Sequence, residues 1–186
     1  ENWFAFQVAM ESAGLSESDL QVQEIGYTQQ AALVGGKVDA IVGFSNNDAV
    51  QITLAGTPVR TLAVAEQVPL VGASLVTTNA VLEQRREELA AVVAASAAGM
   101  EAFAADPDAA VEATKAYVTD LVDATQAANA RAVAVATAEL IEPAGSTAAV
   151  GSLSTEQVEA MIAFLDDHGL LTGAAPTVEA VCDPLV

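Results

Sequence analysis

The sequence predicts an α/β fold in two lobes, and three observations predict it. From Gly14 to about residue 65 the pattern runs α, β, α, β, α, β, the alternation of a parallel sheet covered by helices. Asp39-Ala40-Ile41-Val42-Gly43 is a short apolar run of the kind buried on both faces of such a sheet. Residues 68–78 form a long extended stretch with Pro69 near its start and Gly72 inside it, which suits a strand crossing between lobes. The expected division is therefore an α/β lobe over 1–67, a crossover strand over 68–78, and a mostly helical return with a C-terminal tail over 79–186.

The chain opens inside a helical pattern, with Phe4, Val8 and Leu15 at helical spacing and Gly14 placed to end the helix. A helix with no strand before it and no initiating Met suggests a processed or truncated piece, and any signal peptide would lie upstream. Ser16 to Asp19 is a turn, and residues 20–25 alternate as a strand should. Gly26-Tyr27-Thr28 breaks the chain, Thr28 is placed to cap a short helix over 29–34, and Gly35-Gly36 ends it. The apolar strand follows, then the polar loop 44–48, a short helix over 49–54 stopped by Gly56, and a third strand over 59–65.

Beyond Asn79, which is placed as a cap, the chain turns helical. The first helix carries Glu83, Arg85, Arg86, Glu87 and Glu88 and runs through Ala-rich sequence to about Ala105. Asp106-Pro107-Asp108 starts the next, reaching about Val118. Two more are expected over 120–138 and 154–168, the latter with a capping box at Ser154-Thr155-Glu156-Gln157 and an end at His168-Gly169. The last residues, with Pro176 and Pro184, read as a surface tail.

Composition narrows the function classes. Hydrophobic residues make up 53% of the 186 positions and aromatics only 4%, so the interior is mainly Ala, Val and Leu. No uninterrupted apolar run is long enough to cross a bilayer. Six basic against 25 acidic residues give a formal charge of −19, which repels phosphate backbones and argues against a nucleic-acid partner. One cysteine, Cys182, excludes an internal disulfide and a cysteine-rich metal site.

Catalytic constellations are sparse. A Ser-His-Asp arrangement would need His168, the sole histidine, and its place in Asp166-Asp167-His168-Gly169 suits capping of helix carbonyls better. No His and carboxylate pair has metal-ligand spacing, and Gly35-Gly36-Lys37 is too short for a phosphate-binding loop. We therefore expect a binding protein without cofactor or metal, and not an enzyme.

A binding site reads more clearly. Ligands in open α/β sheets sit at the carboxyl ends of strands, where Tyr27 and the loop Phe44-Ser45-Asn46-Asn47-Asp48 both fall. Aromatic rings there stack on a flat ligand while Asn46, Asn47 and Asp48 hydrogen-bond its heteroatoms. Each position also has a plainer reading: Phe44 as core, Asp48 as the cap of the following helix, Trp3 as a packed residue of the first helix.

The same residues carry a family resemblance. Glu1-Asn2-Trp3, Glu24-Ile25-Gly26-Tyr27-Thr28-Gln29-Gln30, Val38 through Asp48, and Val68-Pro69-Leu70-Val71-Gly72 together resemble the periplasmic-type solute-binding proteins of ABC importers. The subgroup they are most similar to is the one related to thiamine-pyrimidine-synthesis proteins, and Asp106-Pro107-Asp108 matches a helix start usual there. The resemblance runs from Glu1 to about Val118. It implies a two-lobe periplasmic-binding-protein fold of type II closing on its ligand by hinge motion, with part of one lobe upstream of Glu1. It also implies a small heteroaromatic ligand (a pyrimidine or thiamine precursor, or a riboflavin-like compound), an ABC permease partner in the membrane and an extracytoplasmic location. The positions matching ligand-contacting ones are Asn2, Trp3, the Tyr27 loop and Ser45, Asn46, Asn47 and Asp48. Members often carry Glu-Pro where this chain has Asp48-Ala49, and the shorter acid alters which ligand atoms it reaches. Two alternatives share the fold: a pyrimidine-synthesis enzyme, which needs histidine and a cysteine-rich segment absent here, and the ligand-sensing domain of a regulator.

Overall fold

Short-range signals set several of the helix ends. The computed structural model describes residues 2–64, 68, 69, 71–183 and 185. Expectations for Glu1, Ala65, Leu70 and Pro184, and for the side chain of Asn2, fall outside the described residues. Helix α1 spans Asn2–Ser12, and the chain leaves it through Gly14 at φ +71°, a conformation that disfavours any side chain. Helix α2 spans Gln29–Val34, α3 Val50–Leu54, α4 Asn79–Ala105 and α5 Pro107–Thr114. Helix α6 spans Ala124–Ile141, α7 Thr155–Asp167 and α8 Val178–Val181.

The strongest caps form as their sequences indicate. Asp106 accepts a hydrogen bond from the Ala109 N–H at 2.9 Å, with Pro107 in the first turn of α5. At α7, Ser154 Oγ accepts from the Gln157 N–H at 3.1 Å while Gln157 Oε1 accepts from the Ser154 N–H at 3.0 Å. His168 Nδ1 lies 2.7 Å from the Phe164 carbonyl oxygen and its ring packs on Phe164, so this histidine closes a helix end.

Two caps and two boundaries differ. Thr28 makes no cap to α2; its hydroxyl donates backward to the Ile25 carbonyl at 2.7 Å, an alternative open to any turn threonine. The hydroxyl facing the first turn of α4 belongs to Thr78 and not Asn79, with Val81 N at 3.3 Å. Helix α5 stops at Thr114 instead of reaching Val118. Residues Thr119–Val122 form a 3₁₀ turn, and α6 starts later than expected because Asp123 accepts from the Thr125 and Gln126 N–H groups at 2.9 and 3.0 Å.

The α/β expectation fares differently. Among the described residues there is no strand: 20–25, 38–43 and 59–64 run without the ladder hydrogen bonds that define one. Alternation marks a segment able to pair, but pairing needs a second segment at ladder distance, which local pattern does not supply. Their apolar side chains are accordingly uncovered, Leu20, Val22, Val42 and Leu62 among them.

The chain divides into two units, residues 1–68 with 103–144 and residues 69–102 with 145–186. In the first, α6 packs against α5, α3, the Thr119–Val122 turn and residues Ser45–Ala49. Its buried residues include Met10, Ala32, Ile52, Val111 and Ala134, with Ile52 the most enclosed. Arg131 of α6 bonds Asp108 of α5 at 3.1 Å. In the second unit α7 packs with α8, and Val158 and Phe164 of α7 are buried. Arg86 grips Asp183 through two hydrogen bonds of 2.7 and 2.6 Å, tying the tail to α4. Beside it, Arg85 leaves helical geometry (φ −133°, ψ 31°) and kinks α4.

By length and composition α4 is also apolar enough to cross a membrane, with a mean hydropathy of 1.4 over its best window. Much of that value is alanine. Strong drivers of insertion (Leu89, Val92, Val93, Phe103) are few, and five charged side chains crowd its first ten residues.

Two outcomes follow from these contacts. Ser154→Ala removes one arm of the capping box and is expected to destabilise α7 by about 1 kcal/mol, read as a lower thermal midpoint, while Ser154→Thr retains most of it. The Asp183 carboxyl is held below the usual carboxylate range by its hydrogen bonds from Arg86. A depressed carboxylate pKa contributes stability above the unfolded value and loses it as pH falls through the folded one. Hydrogen exchange in α8 should therefore stay protected through mild acid and rise only below the ordinary range; Asp183→Asn should abolish that step.

Candidate functional site

The polar loop expected after the second strand is a single wide turn of π-helix, Ser45–Ala49, leading directly into α3. The Asn47 and Asp48 N–H groups both donate to the Phe44 carbonyl, at 3.1 and 2.8 Å. Turns of this width are uncommon and recur at functional sites, since they splay side chains that an α-helix would stack.

Side chains hold the turn in place. Asp48 Oδ2 accepts from the Phe44 N–H at 2.8 Å. Asp48 thus fails as a forward cap of α3: it already lies inside the helical run, where the N–H groups ahead are committed. Gly43 leaves room for this contact: a Cβ there would lie 2.7 Å from Asp48 Oδ2 and shift the carboxylate. Asn46 Nδ2 donates to Thr137 Oγ1 of α6 at 2.9 Å, and the Thr137 hydroxyl donates to the Val133 carbonyl at 2.8 Å. Gln51 Nε2 of α3 donates to Asn47 Oδ1 at 2.6 Å. The Ser45 hydroxyl has no hydrogen-bond partner among the described residues. Asn46, Asn47 and Asp48 are half-buried and Ser45 is exposed, so the turn presents polar groups at a partly shielded surface.

The other candidates stand apart from this turn. Phe44 is 62% exposed, which removes its reading as a core residue. Tyr27 is fully exposed at 101% and its ring leans on nothing, so it forms no wall with Phe44 in this structure. Trp3 is half-buried in α1 with its ring 5.9 Å from that of Phe6, the packed-helix arrangement. The structure thus brings Phe44, Ser45, Asn46, Asn47 and Asp48 together and does not join Tyr27 or Trp3 to them. Gly43, Gln51 and Thr137 were missed by sequence reasoning. Gly43 had a signal in its position directly before the loop; Thr137 sits in an alanine-rich helix with nothing local to mark it.

Elsewhere, Thr119, Asp120, Val122, Asp123 and Gln126 line an open hollow of about 530 Å³ that contains none of the candidate residues. Its principal carboxylate, Asp123, is occupied in capping α6. Among the described residues no three His, Cys, Asp or Glu side chains are grouped to hold a metal ion.

Comparison with known proteins bears on the same region. Residues 4–110 match the protein family described as NMT1/THI5 like. The riboflavin-binding protein RibY of Chloroflexus aurantiacus is 32% identical over 120 residues, which cover 64% of this chain and 34% of that protein. The aligned part is thus about a third of that relative's length. No solved structure matches significantly. The family match agrees with the resemblance carried by the sequence motifs and includes the whole Ser45–Ala49 turn, while Thr137 lies beyond it.

The turn itself can be tested without a ligand. Gly43→Ala should displace Asp48 and cost about 1 kcal/mol of stability, comparable to Asp48→Ala, since both remove the same hydrogen bond to the Phe44 N–H. The double variant should cost little more than either single one, and denaturant unfolding measures all three.

Proposed function

The chain belongs to the NMT1/THI5-like family, and we propose that it is part of a solute-binding component of an ABC importer that captures a small heteroaromatic compound. The observation that carries this reading is the 32% identity to a protein named for riboflavin binding. That relation favours a riboflavin-like ligand over a pyrimidine or thiamine precursor. The chemistry of the turn supports it. Phe44 offers an exposed ring for offset stacking, and the amides of Asn46 and Asn47 orient heteroatoms beside it. Tyr27 and the start of α1, with Asn2 and Trp3, supply the remaining contacts when the α/β lobes of the family fold close by hinge motion. The loaded protein hands its ligand to a membrane permease at the outer face of the cell. Nothing in this scheme calls for catalysis.

Charge refines the choice. At −19 the protein repels anions, so an uncharged flavin is favoured over its phosphate ester. Calorimetry with riboflavin, flavin mononucleotide and a hydroxymethylpyrimidine tests this, with fluorescence of Trp3, the sole tryptophan, as a second readout. Riboflavin should bind saturably and more tightly than its phosphate ester. Phe44→Ala should weaken it roughly tenfold, about 1.4 kcal/mol. The absence of saturable binding by any of the three below millimolar concentration would sink the proposal.

A further inference from the structure

We infer that Thr137 of α6 is a specificity-determining positioning residue, fixing the Asn46 amide so that the site selects heterocycles presenting an N–H beside a carbonyl. The inference rests on the proposed function and adds the edge of the ligand that is read. A threonine hydroxyl has one proton, and that of Thr137 goes to the Val133 carbonyl at 2.8 Å. Toward Asn46 it presents only lone pairs, so the Asn46 amide must approach with its NH₂ group, and it does so at 2.9 Å. The amide orientation is therefore set by chemistry on α6, and Asn46 Oδ1 accepts nothing among the described residues. Asn47 is set the opposite way: its Oδ1 is occupied by Gln51 Nε2 at 2.6 Å, which leaves its NH₂ to donate.

Asn46 thus keeps a wholly uncommitted Oδ1 besides one N–H, and Asn47 keeps both N–H groups besides one lone pair of Oδ1, so the fully free acceptor lies on Asn46 and the fully free donors on Asn47. Asn46 is half-buried, so rotation of its amide to satisfy a mismatched ligand would break the shielded hydrogen bond to Thr137. A lactam or imide edge, in which a ring N–H adjoins a C=O, satisfies both groups. A ring methylated at that nitrogen leaves Asn46 Oδ1 unpaired, and sites built around such a bond reject analogues lacking the donor far more strongly than pockets reject a methyl by size.

Calorimetry with riboflavin and 3-methylriboflavin tests the assignment on the wild-type chain, Thr137→Val and Thr137→Ser. The wild type should bind riboflavin at least tenfold more tightly than the N-methyl compound. In Thr137→Val the ratio should fall toward one, and in Thr137→Ser it should persist. A purely structural role for Thr137 would weaken both compounds equally and leave the ratio intact, and that result overturns the inference. So does equal binding of the two flavins by the wild type, which leaves the solute-binding reading standing. Absence of binding by either flavin removes both. If Thr137→Val fails to fold, Asn46→Leu carries the same comparison from the other side of the bond, with loss of the ratio expected and its retention overturning the inference.

Discussion

The first unit depends on close packing against one alanine-rich helix. Helix α6 faces α5, α3 and the π turn together, and its small side chains let those backbones approach it. Ala134 is buried there, and Ile52 of α3 is the most enclosed side chain of the unit. A larger residue on this face of α6 would push α3 away and carry the π turn with it. Thr137 interrupts the alanines on the turn-facing side, so the surface that packs the unit also reaches the Asn46 amide. Fold and candidate site share one support.

How much of this was legible in the sequence depends on the range of each interaction. The capping box at Ser154, the Asp106-Pro107 start and the helix end at His168 each close within four residues, and their residue types state the outcome. The loop 44–48 was legible as a polar segment, since it follows an apolar run directly. Its π geometry was not, because Asp48 had two hydrogen-bond options of similar reach, forward to α3 or back to Phe44. Strands were beyond reach for a stronger reason. Residues 20–25 and 38–43 carry the right alternation, yet pairing is a property of two segments and neither specifies the other. Thr137 lies 91 positions from Asn46, and no local pattern joins them.

The unpaired segments raise the question of what keeps them from associating. Extended backbone flanked by exposed Leu20, Val22, Val42 and Leu62 is a template for edge pairing with another chain. Charge opposes it. Glu24 and Asp39 lie in or beside these segments, and 25 acidic against 6 basic residues give every copy the same sign. Self-repulsion of that kind raises the barrier to association without stabilising any particular fold. The acidity that discourages nucleic-acid and anionic partners thus also protects an exposed apolar surface.

The candidate site divides into halves that differ in order. Its polar half is fixed before any ligand arrives: Asp48 to Phe44, Asn46 to Thr137 and Gln51 to Asn47 hold the turn, so little conformational freedom is left to lose there on binding. Its aromatic side is open: Phe44 beside the turn is exposed, and the exposed Tyr27 stands apart from it. A rigid polar edge discriminates by hydrogen-bond pattern, since it cannot adapt to a mismatch. Exposed rings offer stacking area, and stacking tolerates many flat systems. On the proposed reading, selectivity would reside in the turn and affinity in the exposed rings.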